Sequence, residues 1–301
     1  MALTSACKWI TEGAAGSLYC TMDTITPIQV PLRFTTIGDP SLPSVVFLHG
    51  FLGSGSDWLP FTSGLSGSLH CILVDLPGHG GAVFRDNGPD GLQEESEASS
   101  GYFLHTVDTL AEGLRKLLPA PGFLVGYSMG GRIGVALLLR HPELFQRAVI
   151  VSSSPGLRTE EERLARRKSD EGTARKIERN FEGFLEFWYS QPLFSTLKSH
   201  PLFHEVETLR QKGSPRSLAR ALRLLGTGNQ PSFWDQCAAS PVPVQFMAGE
   251  KDPKYLEIGR QMVNLFPHSR LETFPGCGHT LHIEARDRFQ ERLQHFFNQQ
   301  D

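Results

Sequence analysis

A serine hydroxyl becomes a useful base or nucleophile only when an imidazole takes its proton and a carboxylate holds that imidazole in the right tautomer. The stretch Phe123-Leu124-Val125-Gly126-Tyr127-Ser128-Met129-Gly130-Gly131-Arg132 offers such a serine, because an apolar run ends abruptly there in G-x-S-x-G. Its length suits a buried strand, and Ile133 to Leu139 have the apolar content of a buried helix. A serine at a strand-to-helix corner sits on a tight turn that pushes its hydroxyl outward, and Gly126 and Gly130 let the two arms approach. Ser128 is the expected reactive centre. With such an elbow the acid and then the histidine follow on loops after later strands. Gly249-Glu250-Lys251-Asp252-Pro253 places Asp252 best, with Glu250 as competitor, and Gly276-Cys277-Gly278-His279 supplies the base, His279. Charge developing on a substrate oxygen needs fixed N–H donors, and the backbone N–H groups of Phe51 and Met129 occupy the two usual positions. His282 could pair with His279 on a metal, but no third ligand at a fitting spacing exists, so no metal is expected.

The elements that must carry these residues alternate. Gln29 to Ile37 reads as an early strand closed by the turn Gly38-Asp39-Pro40, and Asp57 to Leu65 as a helix. Ser44 to His49 and Cys71 to Asp75 are continuous β-rich runs of the kind buried on both faces of a parallel sheet. The second of them ends in Leu-Pro-Gly-His-Gly-Gly, a loop. Phe103 to Leu118 is amphipathic, and Ala148 to Ser152 is a further strand. No strand-like run then occurs until about Ser240; Arg- and Glu-rich helical segments alternate with aromatic patches instead. Val242 to Ala248, Tyr255 to Leu265, Arg270 to Phe274 and Leu281 to Asn298 follow as strand, helix, strand and helix. This order predicts an α/β fold with a mostly parallel sheet and right-handed crossovers. The expected organisation is a flexible extension over 1–28, a core over 29–153 and 241–301, and a helical cap over 154–240. Residues 82–101 read as a polar surface insertion.

Composition narrows the partners. The 301 residues are 40% hydrophobic, ample for a real core, and the net charge of −3 with no long basic block points away from nucleic acid and anionic membrane surfaces. The five cysteines are scattered without a C-x-x-C pair, which fits a reducing compartment and not a disulfide framework or a zinc site. No apolar run reaches the length of a membrane span, and no secretory signal opens the chain. Residues 1–22 contain Ser and Thr and are poor in acids; an ordinary flexible N-terminus is expected over a transit peptide.

Taken together, H-G-F, D-L-P-G-H-G-G, G-Y-S-M-G-G-R, G-E-K-D and G-H resemble an α/β-hydrolase-fold protein. More narrowly, the chain over about 44–298 resembles the 2-succinyl-6-hydroxy-2,4-cyclohexadiene-1-carboxylate (SHCHC) synthases of menaquinone and phylloquinone biosynthesis. Three features carry the narrower likeness. Tyr127 precedes and Arg132 follows the serine; Ser154-Pro155-Gly156-Leu157 leads into a helix ending Arg166-Arg167-Lys168-Ser169-Asp170; and Trp188-Tyr189-Ser190-Gln191-Pro192-Leu193-Phe194 is followed by Leu209-Arg210. The resemblance implies a carbon–oxygen lyase without a cofactor, whose primed serine abstracts a proton from a cyclohexene so that pyruvate leaves. Its substrate carries several carboxylates, which guanidinium groups bind in two-pronged forks. By motif match the forks would be Arg132, Arg166 and Arg210, with Tyr127 and Trp188 as pocket walls. Each has a plainer competitor. Between Leu157 and Arg179 stand eight Lys/Arg and six Asp/Glu, mostly a solvated helix face, and Arg167 rivals Arg166. Trp188 lies in an aromatic stripe that could simply pack.

The N-terminal forty residues and the 82–101 insertion exceed what a compact bacterial member of the family would need. They fit a cytoplasmic or, in a photosynthetic eukaryote, plastid protein, or a domain of a fused multi-enzyme chain. The alternatives are an esterase, thioesterase or carbon–carbon bond hydrolase of the same fold, and a non-catalytic binding protein. Pocket charge separates the lyase from the hydrolase: a polycarboxylate substrate requires arginines converging on Ser128, a simple ester an apolar funnel.

Overall fold

A computed structural model of the chain describes residues 8–10, 19–23, 30–84 and 99–299. Among these, nine strands form one sheet in the order β1-β2-β3-β5-β4-β6-β7-β8-β9. The strands are β1 Lys8–Ile10, β2 Tyr19–Asp23, β3 Arg33–Ile37, β4 Ser44–Leu48, β5 His70–Asp75, β6 Gly122–Tyr127, β7 Phe145–Val151, β8 Val244–Gly249 and β9 Ser269–Phe274. From β5 to β9 all neighbours run parallel, and β1 to β3 add an antiparallel edge. The continuous apolar runs read from the sequence sit at the centre, where β4 is buried at every position.

Helices cover both faces, as a parallel sheet requires. Helices α2 (Ser99–Leu117), α3 (Met129–Arg140) and α9 (Pro253–Val263) pack on one face, around Phe103, Leu110, Ile133, Leu137 and Met262. Helices α1 (Leu59–Leu65) and α11 (Arg286–Phe297) pack on the other, around Phe61, Leu65, Phe289 and Leu293. Between β7 and β8 run α4 (Glu160–Arg179), α5 (Phe181–Tyr189), α6 (Ser195–Lys198), α7 (Phe203–Gln211) and α8 (Pro215–Leu225). Helix α4 starts on a capping box, Thr159 with Glu162, and has acids in its first turn and Lys176 and Arg179 in its last, matching the helix dipole. These helices share an apolar cluster that includes Ala174, Phe184, Leu197 and Leu222, joined by Leu52 from the turn after β4. We propose 154–240 as a cap on that basis, with 29–153 and 241–301 as the two pieces of the core.

Four expectations are corrected. Residues 8–10 and 19–23 of the supposed extension are strands, and the remainder of 1–28, like Gln29, lies outside the described residues. Most of the 82–101 insertion also lies outside them, but 99–101 already belong to α2. The helix read over Asp57 to Leu65 begins as a 3₁₀ turn, Gly55–Trp58, before α1. The final helix is broken: α10 (Leu281–Glu284) ends at Ala285, whose φ of −138° and ψ of 54° leave the helical region. Glu284 is the reason to stop there, because its carboxylate accepts from the N–H of Gly278 (2.7 Å) and from the Thr280 hydroxyl (2.5 Å), tying down the loop that bears His279.

The strand order fixes where chemistry can happen. The chain runs from β4 to β5 on one side and returns to β6 on the other, so the loops after β4 and β6 part at their C-terminal ends and open a crevice. Ser128 follows β6, and Phe51 follows β4.

Candidate active site

Ser128 occupies a left-handed backbone conformation, φ 51° and ψ −107°, between β6 and α3. Such a conformation persists in a non-glycine residue only when its surroundings over-determine it. Here Ser128 N–H donates to Val151 O (2.9 Å), Gly130 N–H to His49 O (2.9 Å), and the Ser153 hydroxyl to Ser128 O (2.8 Å). The flanking glycines are required by space: a Cβ on Gly126 would meet Gly130 O at 2.8 Å, and one on Gly130 would strike the Leu48 carbonyl.

The three expected triad residues meet. His279 Nε2 lies 3.1 Å from Ser128 Oγ, and His279 Nδ1 lies 2.7 Å from Asp252 Oδ2. Asp252 and His279 are buried. Asp252 Oδ1 also accepts from Tyr255 N–H (3.3 Å) at the start of α9, so capping that helix aims the carboxylate. Glu250 is elsewhere, accepting from Gly276 N–H (2.9 Å) at the surface. Proton transfer from Ser128 Oγ to Nε2 is geometrically available, with Asp252 fixing the proton on Nδ1.

Phe51, Met129 and Gly50 all line the cavity above Ser128. Met129 opens α3, where N–H groups have no intrahelical partner. A Cβ on Gly50 would meet the Tyr127 ring at 2.5 Å and Ser128 Cβ at 3.5 Å, so only glycine brings the Gly50–Phe51 peptide this close. That peptide is held from behind. His49 Nδ1–H donates to Gly50 O (2.7 Å) while His49 Nε2 accepts from Leu76 N–H (3.0 Å), which fixes a neutral imidazole in one tautomer. Burial pushes the imidazole the same way, below its ordinary value.

The cavity measures ≈ 360 Å³, and Arg132, Arg166 and Arg210 all line it, as do Tyr127 and Trp188. They are not equivalent. Arg132 is buried and donates to two neutral acceptors, Gln230 Oε1 (3.0 Å) and Leu225 O (2.8 Å). Burial, and then the nearby Arg166 guanidinium, lower its value to about 10, as expected for a cation short of a counter-ion. Arg166 gives only Nε to Asp170 (2.7 Å), which leaves its terminal nitrogens without a protein hydrogen bond among the described residues. Its rival Arg167 turns away, to Glu160 and to Gly228 O (2.7 Å). Arg210 departs from the expectation of a free fork: Nη1 and Nη2 both bind Asp57, at 2.7 and 2.8 Å. Trp188 is at once wall and packing, its ring 5.6 Å from Phe51 and from Phe184.

His282 packs beside the site among aromatic rings. Its ring lies 4.3 Å from Tyr127 and 5.0 Å from Trp58, and its buried Nδ1 has no partner. Burial presses it down to about 3. The unfolded imidazole takes its proton near pH 6.5 and the folded one only near 3, so stability is full above about 6.5 and falls as pH drops below it, at about 1.4 kcal/mol per pH unit. His282→Phe, which keeps a ring and removes the titration, should be favoured over the wild type by about 2 kcal/mol more at pH 5 than at pH 8. Urea unfolding at the two pH values measures this, and parallel changes in both proteins would refute it.

Sequence reasoning missed Asp57, Asp170, Tyr189, Gln230, Tyr255 and Glu284. A pairing pattern could have flagged Asp170, four residues after Arg166 on one helix. Tyr189, Tyr255 and Glu284 stand one, three and five residues after Trp188, Asp252 and His279, and Asp57 six after Phe51, whereas Gln230 reaches Arg132 only through the fold.

Comparison with known proteins places these features in context. A family model for the alpha/beta hydrolase fold matches residues 43–286. The chain is 34% identical over 269 residues to the chloroplastic protein PHYLLO of Arabidopsis thaliana, covering 84% of this chain but 15% of that one. It is 32% identical over 264 residues to the putative SHCHC synthase of Bacillus subtilis, covering 86% of this chain and 92% of that one. Among solved structures, MenH from S. aureus superposes with a TM-score of 0.79 at 29% identity, over 87% of this chain and 97% of that one. An esterase from Exiguobacterium antarcticum, at 20% identity and TM-score 0.73, shares the fold.

Proposed function

From the premise that this chain belongs to the SHCHC synthase family of the α/β-hydrolase fold, we propose how its residues carry out that family's elimination. The substrate is 2-succinyl-5-enolpyruvyl-6-hydroxy-3-cyclohexene-1-carboxylate. Its acidic C–H is at ring carbon 2, next to the succinyl ketone. Ser128 Oγ, with its own proton passing to His279 Nε2, removes that hydrogen, and the ketone oxygen gains the charge. The N–H groups of Phe51 and Met129 hold that oxygen. The electron pair then forms the 2,3 double bond, the 3,4 bond shifts to 4,5, and the carbon–oxygen bond at carbon 5 breaks. Enolpyruvate leaves, takes up one proton and becomes pyruvate, so the ring keeps a 2,4-diene and atoms balance. No ester to Ser128 forms.

The observation that carries this reading is the convergence of Arg132 and Arg166 on the cavity that holds the Ser128–His279–Asp252 array. Arg132 lacks a carboxylate partner and Arg166 keeps two nitrogens free, which suits a substrate with three carboxylates. Tyr127 and Trp188 wall the ring-binding space. A plastid setting within a longer chain is part of the same proposal, supported by the likeness to the chloroplast protein. No helix among the described residues is long and apolar enough to cross a membrane.

The test compares two substrates. Pyruvate release from the enolpyruvyl precursor, followed with lactate dehydrogenase, should exceed hydrolysis of p-nitrophenyl acetate by about 10⁴ in kcat/KM, because the ester leaves buried cations unpaired. Faster turnover of the ester would overturn the lyase reading in favour of a hydrolase.

A further inference from the structure

Asp57 belongs to none of the motifs, yet it touches both halves of the site. It lies in the 3₁₀ turn after β4 with its side chain largely covered, and its two oxygens bind the two terminal nitrogens of Arg210 on α7, 153 residues away. Tyr189 of α5 is buried near the same guanidinium. On its other side the Asp57 carboxylate rests against the turn that carries Phe51. A Cβ on Gly53 would collide with Asp57 Oδ2, and Gly53 N–H closes that turn on Gly50 O at 3.0 Å. Leu52, inside the turn, is in the left-handed region at φ 67°, so this backbone depends on its surroundings to keep its shape. A buried ion pair adds little stability over an apolar pair of similar volume, and its physical use is to fix geometry.

We propose that Asp57 is a positioning residue that couples the seating of the cap to the shape of the oxyanion turn, with Arg210 as its fixed counterpart on the cap. Arg210 is then a strut and not a free fork for substrate. The inference rests on the lyase reading for its reaction, but its test includes a reaction that needs no carboxylate.

The variants are Asp57→Asn, Asp57→Glu, Arg210→Met and the double Asp57→Leu/Arg210→Met. Each is assayed for pyruvate release and for the rate at which phenylmethanesulfonyl fluoride, which is uncharged, sulfonylates Ser128. A misplaced oxyanion turn should lower kcat by about 10²-fold while KM changes by no more than about threefold, and sulfonylation should slow in step. The double variant, which strands no buried charge, should fold and should lose no more than the worse single, because both lesions break one strut. Asp57→Glu should recover part of the rate. The proposal is overturned if the folded double variant is sulfonylated at the wild-type rate. It is equally overturned if Arg210→Met acts through KM alone while Asp57→Asn leaves kcat unchanged. A wild type that is sulfonylated at Ser128 but releases no pyruvate would sink the lyase reading and leave the sulfonylation arm to judge Asp57.

Discussion

Replacing Ser128 by alanine should lower pyruvate release from the enolpyruvyl precursor by about 10⁴-fold or more, with the fold preserved. The size follows from the geometry. His279 Nε2 is aimed at Ser128 Oγ, 3.1 Å away, and Asp252 holds the opposite nitrogen, so removal of the hydroxyl leaves no group placed to take the ring proton. The fold should survive because alanine at φ 51° is no more strained than serine, and the hydrogen bonds that stitch this corner use backbone atoms of residue 128. Coupled pyruvate assays with a thermal melt decide the matter. A variant that melts normally and keeps more than about a tenth of the rate would remove Ser128 from the proton path.

The next largest loss belongs to Arg132. Arg132→Met should cut kcat/KM for the precursor by about 10²- to 10³-fold, the worth of two charge-assisted hydrogen bonds to a carboxylate in a buried site. Most of it should enter through KM if the carboxylate is held equally in the ground and transition states. Stability should fall too, by about 1–3 kcal/mol, because Gln230 Oε1 and Leu225 O lose their donor. Arg132→Lys keeps the charge without the fork and should recover only part of the affinity. Steady-state kinetics on the melted-and-checked proteins separate the two effects, and kinetics equal to wild type would take Arg132 out of the binding site.

Within the chain, the residues whose roles are set by their immediate neighbours were legible. The strands β4 to β7 announce themselves as apolar runs, since a strand buried on both faces has no room for polar alternation. The serine corner is legible because its glycines stand two residues to either side of Ser128, although the Leu48 carbonyl that demands Gly130 lies far off in the chain. Asp252 and His279 follow from chain order, because a parallel sheet puts successive loops at the same end.

What distant segments do to one another was not legible. Eight cations crowd 157–179, and no local rule says that Arg166 turns to the cavity while Arg167 binds Glu160 and Gly228. The last helix reads as continuous because helix periodicity carries through Ala285; the break comes from Glu284 binding back to the His279 loop. Arg210 reads as a free cation until α7 is packed in place and Asp57, 153 residues earlier, closes on it. Sequence periodicity and turn chemistry act over a few residues and so determine the sheet, the elbow and the triad slots. Which charges are neutralised and which are left for a ligand depends on burial and on partners across the molecule, and only the tertiary structure decides that.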